Sequence, residues 1–236
     1  MCFLNSALGR YYSLHTVLVF ILSALLAGWW QQQSADLAFS ALFFDETAQQ
    51  FRYTYQSLIY FFGKYAIWGI PFGGAVMWTA YALKQTEALN RSMYLRIATF
   101  FFSAPLVMGA LKQFTAMPRP FLLQEFGGEL LLPQHFWASG FAQGGGALPS
   151  VHATCGFIFL ALYYLGWVKQ QPMLRWSGLV LALLAGFFFG FLRIAQGYHT
   201  LSQVLWAGAF VWLYASLWFL PVLKQAGVIS PLSCSS

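Results

Sequence analysis

Long apolar runs separated by short polar punctuation dominate this chain. They fall at about Tyr12–Trp30, Tyr65–Leu83, Tyr94–Leu111, His152–Val168, Trp176–Leu192 and Thr200–Leu223. Each approaches the roughly 20 residues that a helix needs to cross a bilayer. Backbone groups in hydrocarbon must be satisfied within a helix or a closed barrel, and the period-2 alternation of barrel strands is absent. The pattern therefore predicts an all-α, polytopic membrane protein: a bundle of six transmembrane helices, forming one domain over residues 1–236. Trp29, Trp30 and Trp167 close their runs as interfacial aromatics do. The stretch from Asp36 to Phe62 mixes Leu37, Phe39, Leu42, Phe43 and Phe44 with Asp45, Glu46 and Thr47. It is expected to hold an interfacial helix before the second span. The first run lacks a clear small-residue cleavage site and reads as a retained helix.

Composition sharpens this picture. Of 236 residues, 59% are apolar and only 8% are charged, against roughly 25% charged in a soluble domain. Cys2, Cys155 and Cys234 are isolated, so neither a zinc site nor a disulfide framework is expected. Charge then orients the chain. With six spans, one side carries Arg10, Lys84, Arg91, Arg96, Lys169, Arg175 and Lys224 against Glu87 alone. The other carries Arg52, Lys64, Lys112, Arg119 and Arg193 with Asp36, Asp45, Glu46, Glu125 and Glu129. The positive-inside rule puts the first set, and both termini, in the cytoplasm. The net charge of +6 is thus mostly a topology signal, and no nucleic-acid partner is expected.

The longest connection runs from Lys112 to Val151 and is rich in Pro and Gly, including the run Gly144-Gly145-Gly146. Loops of this length are usually functional or disordered. Three segments at helix ends carry ionisable groups: Lys112 to Arg119-Pro120, then Pro149-Ser150-Val151-His152, then Arg193 to His199. Six spans bring all three to the outer face. Two arginines, a lysine and two histidines there run against the positive-inside bias, and an anionic ligand is the simplest reason for them. Phosphoryl transfer fits this set, because its catalysis is mostly positioning and charge stabilisation. Arg119 and Arg193 can grip the group with bidentate forks, and Lys112 adds a point charge. Ser150 begins a helix, whose N-terminus favours anions. One histidine can attack phosphorus while the other protonates the leaving oxygen.

These segments resemble the three signature motifs of the type 2 phosphatidic acid phosphatase superfamily: K-x6-R-P, P-S-G-H and S-R-x5-H-x3-D. The resemblance extends in layout over about residues 57–223. It implies a metal-independent, cofactor-free membrane hydrolase whose site faces outward, here in a bacterial inner membrane. It implies His199 as the nucleophile that forms a phosphohistidine and His152 as the general acid. Lys112, Arg119, Ser150 and Arg193 would hold phosphate. The implied substrate is an envelope lipid phosphate: undecaprenyl pyrophosphate, lipid A, phosphatidylglycerol phosphate or phosphatidic acid. A lipid phosphotransferase with the same site, and a catalytically weakened lipid-binding protein, are the alternatives.

Three positions depart from the motifs. Val151 replaces a glycine and Leu192 a serine. Gln203 replaces the aspartate that orients the nucleophile, four residues after His199 and so on the same helix face. Its amide can fix a tautomer but cannot pair ionically with an imidazolium. Glu125 or Glu129 could supply the missing carboxylate, although a loop acid is more often merely solvated. His15 and His135 read as interfacial or satisfied residues, and Lys64 as a snorkelling lysine. Substrate selectivity is expected in the Phe121–Leu148 loop.

Overall fold

A computed structural model describes residues 6–133 and 146–229. Cys2, His135, Gly140, Gly144, Gly145 and Cys234 lie outside the described residues. The chain is predominantly helical. Helix α1 covers Ala7–Gln31, α4 Ala88–Phe114, α5 Val151–Val168, α6 Pro172–Ala195 and α7 Leu201–Gln225. These five are long and apolar enough to cross a membrane. Helix α3 has two limbs, Ser57–Tyr65 and Ile67–Leu83, bent by 42° to one another, and counting it as one span gives six. The second apolar run therefore starts earlier than its hydropathy suggests, because Ser57–Tyr65 is amphipathic in composition but helical in conformation.

The segment expected to form an interfacial helix is a composite. Helix α2 covers only Ser34–Ala41. After it, strands β1 (Phe44–Asp45) and β2 (Gln50–Phe51) pair antiparallel. The local reason is Asp45, whose Oδ1 accepts the Thr47 and Ala48 N–H groups at 3.0 and 3.1 Å and so closes a turn in place of a helical bond. Gln49 completes the reversal with φ +50°. Phe44, Phe51 and Phe126 stack into a small aromatic cluster beneath the hairpin.

The bundle core lies on α5 and α7, whose buried residues include Tyr164, Ile158, Phe219 and Leu223. Helix α3 packs on α4, α6 on α5, and α1 on α7. Small residues set the closeness of the α5–α6 contact: a Cβ on Gly156 would come within 2.3 Å of the Ala185 backbone. Such contacts are how helices associate where lipid removes the hydrophobic driving force. His15 is built into the far end of this bundle, stacked on Tyr11 with ring centroids 4.7 Å apart and bonded through Nε2 to the Tyr163 hydroxyl at 3.2 Å. Lys64 is exposed on α3 and donates to the Tyr60 hydroxyl at 2.5 Å.

Candidate active site

Four helix ends meet at one end of the bundle. Helix α5 begins at Ser150, whose buried side chain caps the helix by accepting the Ala153 N–H at 3.3 Å. This leaves the Ser150 hydroxyl hydrogen free to donate. His152, in the first turn, bonds through Nε2 to the Gly63 carbonyl of α3 at 2.7 Å. A carbonyl only accepts, so that nitrogen carries the proton. Gly63 also packs closely on the cluster, since a Cβ there would sit 3.1 Å from both Arg193 Nη1 and Gln196 Oε1.

His199 stands in the turn between α6 and α7 and is 5% exposed. Its ring centroid lies 6.1 Å from that of His152. Its Nδ1 bonds to Gln203 Oε1 at 2.9 Å. The surroundings fix the orientation of that amide. Gln203 Oε1 also accepts the Thr200 N–H at 3.3 Å, and Nε2 donates to the Pro118 carbonyl at 3.3 Å. The amide cannot be flipped without losing both bonds. His199 Nδ1 must then be the donor, which leaves the Nε2 lone pair free. Burial and the charges of His152, Arg193 and Lys112 hold the His199 imidazole well below its ordinary pKa, while the Gln203 bond pulls the other way.

Gln203 does more than replace an acid. Its backbone carbonyl accepts the Ser150 N–H at 3.1 Å, so one residue ties together the segments ending in Pro118, Ser150 and His199. Aspartate has no N–H for the Pro118 carbonyl and is one methylene shorter. Glu125 and Glu129 are both exposed, and the side chain bonded to His199 is Gln203. The loop segment after Pro118 is further pinned by the Phe121 N–H, which donates to the Gly197 carbonyl at 3.1 Å.

Three cations complete the cluster. The Arg193 guanidinium lies 3.9 Å from the Tyr198 ring centroid and the Arg119 guanidinium 5.6 Å from the same ring. Lys112, half-buried at the end of α4, lies near enough to both arginines to feel their charge. Arg193 donates through Nη1 to Gln196 Oε1 at 2.7 Å, yet its Nε and the Gln196 Nε2 are buried without a hydrogen-bond partner among the described residues. The ion pair found among the described residues, Arg52 with Asp45 at 3.8 Å, lies on the hairpin and not on these three. Such an arrangement, unpaired cations around a free imidazole lone pair, suits an anion. All seven residues singled out in the sequence are at this end of the bundle.

The sequence did not point to Asp36. It is 3% exposed on α2. Its Oδ1 accepts the Trp30 Nε1–H and the Ser202 N–H, each at 3.0 Å, and its Oδ2 accepts the Ser202 hydroxyl at 2.5 Å. Ser202 in turn shares a 2.9 Å bond with the Thr200 hydroxyl. Asp36 thus caps the first turn of α7, beside His199. Burial raises its carboxyl pKa, and the bonds from Ser202, Thr200 and Trp30 pull it back. Gly63, Gln196 and Tyr198 were also unmarked as site residues.

A profile of the PAP2 superfamily matches residues 93–225, which is more than half of the chain and contains every cation and histidine of the cluster. The chain belongs to this superfamily. It is also 24% identical, over 190 residues, to the lipid A 4'-phosphatase of Francisella tularensis subsp. novicida (strain U112), with 78% of this chain and 83% of that protein covered. No solved structure matches it significantly.

Proposed function

We propose that this protein is a metal-independent lipid phosphatase that hydrolyses an envelope lipid phosphate through a phosphohistidine. One observation carries the reading: the His199 imidazole, its Nδ1 engaged and its Nε2 bare, stands with His152, Lys112, Arg119 and Arg193 in one cluster. His199 Nε2 attacks phosphorus, and the bond from phosphorus to the lipid oxygen breaks. His152 keeps its Nε2–H on the Gly63 carbonyl, while its Nδ1, which takes up a proton as the dianionic phosphate binds, passes that proton to the lipid oxygen. Water then attacks the phosphohistidine, the P–N bond breaks, and His152 takes the proton of the water. Arg119, Arg193 and Lys112 hold the equatorial oxygens, with the Ser150 hydroxyl and the first turn of α5 beside them.

Six spans, with both termini in the cytoplasm and the cluster on the outer side of a bacterial inner membrane, agree with the distribution of Lys and Arg. Among undecaprenyl pyrophosphate, lipid A, phosphatidylglycerol phosphate and phosphatidic acid, likeness to a lipid A 4'-phosphatase favours lipid A. The reading of a catalytically weakened lipid binder loses its motive, because Gln203 makes the orienting contact that its substitution for aspartate seemed to forfeit. The test is phosphate release by purified protein across a panel of these lipids. His199→Ala should release none, and wild-type turnover should survive excess EDTA. Equal rates for wild type and His199→Ala would refute the assignment.

A further inference from the structure

A second cavity adjoins the cations. It encloses about 250 Å³ between the β1–β2 hairpin and the loop that follows Arg119. That is room for one ring and its substituents. Gln50, Thr54 and Tyr55 line one side, and Phe121, Gln196 and Tyr198 the other. No lining residue is charged. Carboxamides and hydroxyls among aromatic faces suit a neutral, hydroxyl-rich ring, whose axial faces stack on aromatics while its rim exchanges hydrogen bonds. The lining itself offers no charged side chain to a carboxylate or an ammonium.

Gln196 decides how this cavity relates to the reacting phosphate. It is 1% exposed. Its Oε1 is occupied by Arg193 Nη1 at 2.7 Å, and its carbonyl accepts from the Thr54 hydroxyl at 3.3 Å. Its Nε2 is buried with no partner among the described residues, although a buried amide donor normally finds one. Tyr198 is shared as well, with one face under the Arg193 guanidinium at 3.9 Å. Cavity and cation cluster therefore have a common wall, formed by Gln196 and Tyr198.

Resting on the phosphatase reading above, we propose that this cavity is a head-group subsite for a sugar ring, and that the preferred substrates are lipids whose scissile phosphate is borne directly on that ring. The Gln196 amide donates to a ring hydroxyl or ring-bound carbonyl, and Gln50 and Tyr55 close the outer side.

The experiment compares two substrates in the same detergent: a diacylated hexosamine monophosphate and a phosphatidic acid with the same acyl chains. The quantity read is the ratio of their kcat/KM values, sugar over glycerol. Wild type should prefer the sugar phosphate. The double variant Gln50→Leu/Tyr55→Ala alters exposed positions, Tyr55 being 80% exposed, and should lower the ratio about tenfold, the worth of one or two hydrogen bonds. Gln196→Met should lower it by at least as much. A wild-type ratio near one, or a parallel fall of both substrates in the double variant, would overturn the subsite. A wild-type protein that cleaves the other lipids of the panel but neither of these two would also overturn the subsite, whereas one that releases phosphate from no lipid at all would sink the phosphatase reading itself.

Discussion

Arg175 and Arg193 sit near opposite ends of α6, about 27 Å apart by helical rise, and each guanidinium lies 3.9 Å from an aromatic ring centroid. Each also buries an Nε without a hydrogen-bond partner among the described residues, and there the likeness ends. Arg175 is walled by Trp167, Tyr163 and Trp176 and donates to the Tyr163 hydroxyl at 2.6 Å. His15 reaches the same hydroxyl at 3.2 Å, and the backbone of His15 is fixed by Trp212 Nε1 at 2.8 Å. Aromatic faces spread that charge into the fold. Arg193 has one ring, Tyr198, and then faces Arg119, with Lys112 close by. Like charges brought together without an acid cost free energy in the empty protein. The folding of the bundle must supply that cost, and an anion removes it. The same residue type at two ends of one helix is thus a strut at one end and a receptor at the other, and the difference lies in what stands opposite it.

The sharpest way to break this comparison is to truncate both arginines. Arg193→Ala should lower kcat/KM for phosphate release by about 10²–10³, the usual cost of losing one transition-state charge contact. Its melting temperature should change little, because relief of the repulsion offsets the lost Tyr198 and Gln196 contacts. Arg175→Ala should do the reverse: activity within about threefold of wild type, with a melting temperature lower by roughly 2–6 °C from lost cation–π and hydrogen-bond contacts. Phosphate-release kinetics and thermal unfolding in the same detergent read both arms. Matching losses of activity in the two variants would erase the distinction.

Within the receptor end, the next largest effect is expected at Gln203. Gln203→Leu removes the acceptor of His199 Nδ1–H and Thr200 N–H and the donor to Pro118 at once, and should cost about 10² in kcat. Gln203→Asp gives a pH signature. In the natural chain, burial keeps the His199 imidazole neutral well below pH 6.5, so the nucleophile is not lost by protonation near that pH. A carboxylate beside it favours the imidazolium and raises its pKa. Protonation then removes the free lone pair at higher pH, and the acid limb of kcat/KM should move upward. Profiles of wild type and Gln203→Asp that superimpose would show that Gln203 does not set the state of His199.

What could be read from the sequence follows from the range of the interactions. The apolar runs and their helical form are imposed by lipid on every local window, so α1 and α4 to α7 were legible, although α1 and α4 begin five and six residues before their apolar runs. The histidines and cations were legible because each lies in a short motif at a helix end. The hairpin was not, because a single Asp45 turn overrides the apolar character of its flanks. Asp36 was not, because its partner is Ser202, 166 positions away, and an acid in an amphipathic stretch looks solvated until the tertiary contact is known. Gln203 was legible as a departure, but its role as a hub needed the Pro118 and Ser150 backbones beside it.

The smallest effect expected on turnover tests the support beneath the receptor end. Asp36 hydrogen-bonds to neither imidazole and to none of the three cations among the described residues; it holds the first turn of α7, from which Gln203, itself bonded by the Thr200 N–H, reaches back to His199. Asp36→Leu would leave the Trp30 indole N–H, the Ser202 N–H and the Ser202 hydroxyl without their acceptor. Stability should fall by about 2–4 kcal/mol, as for a lost cap with buried donors. Turnover should fall about tenfold with KM little changed, because the loosened turn misplaces the nucleophile while the cations that bind phosphate stay put. Asp36→Asn keeps an oxygen for Trp30 and the Ser202 N–H and should recover most of both losses. If Asp36→Asn were as slow as Asp36→Leu while folding normally, the carboxylate charge itself would matter, and the strut would have to be counted as part of the receptor.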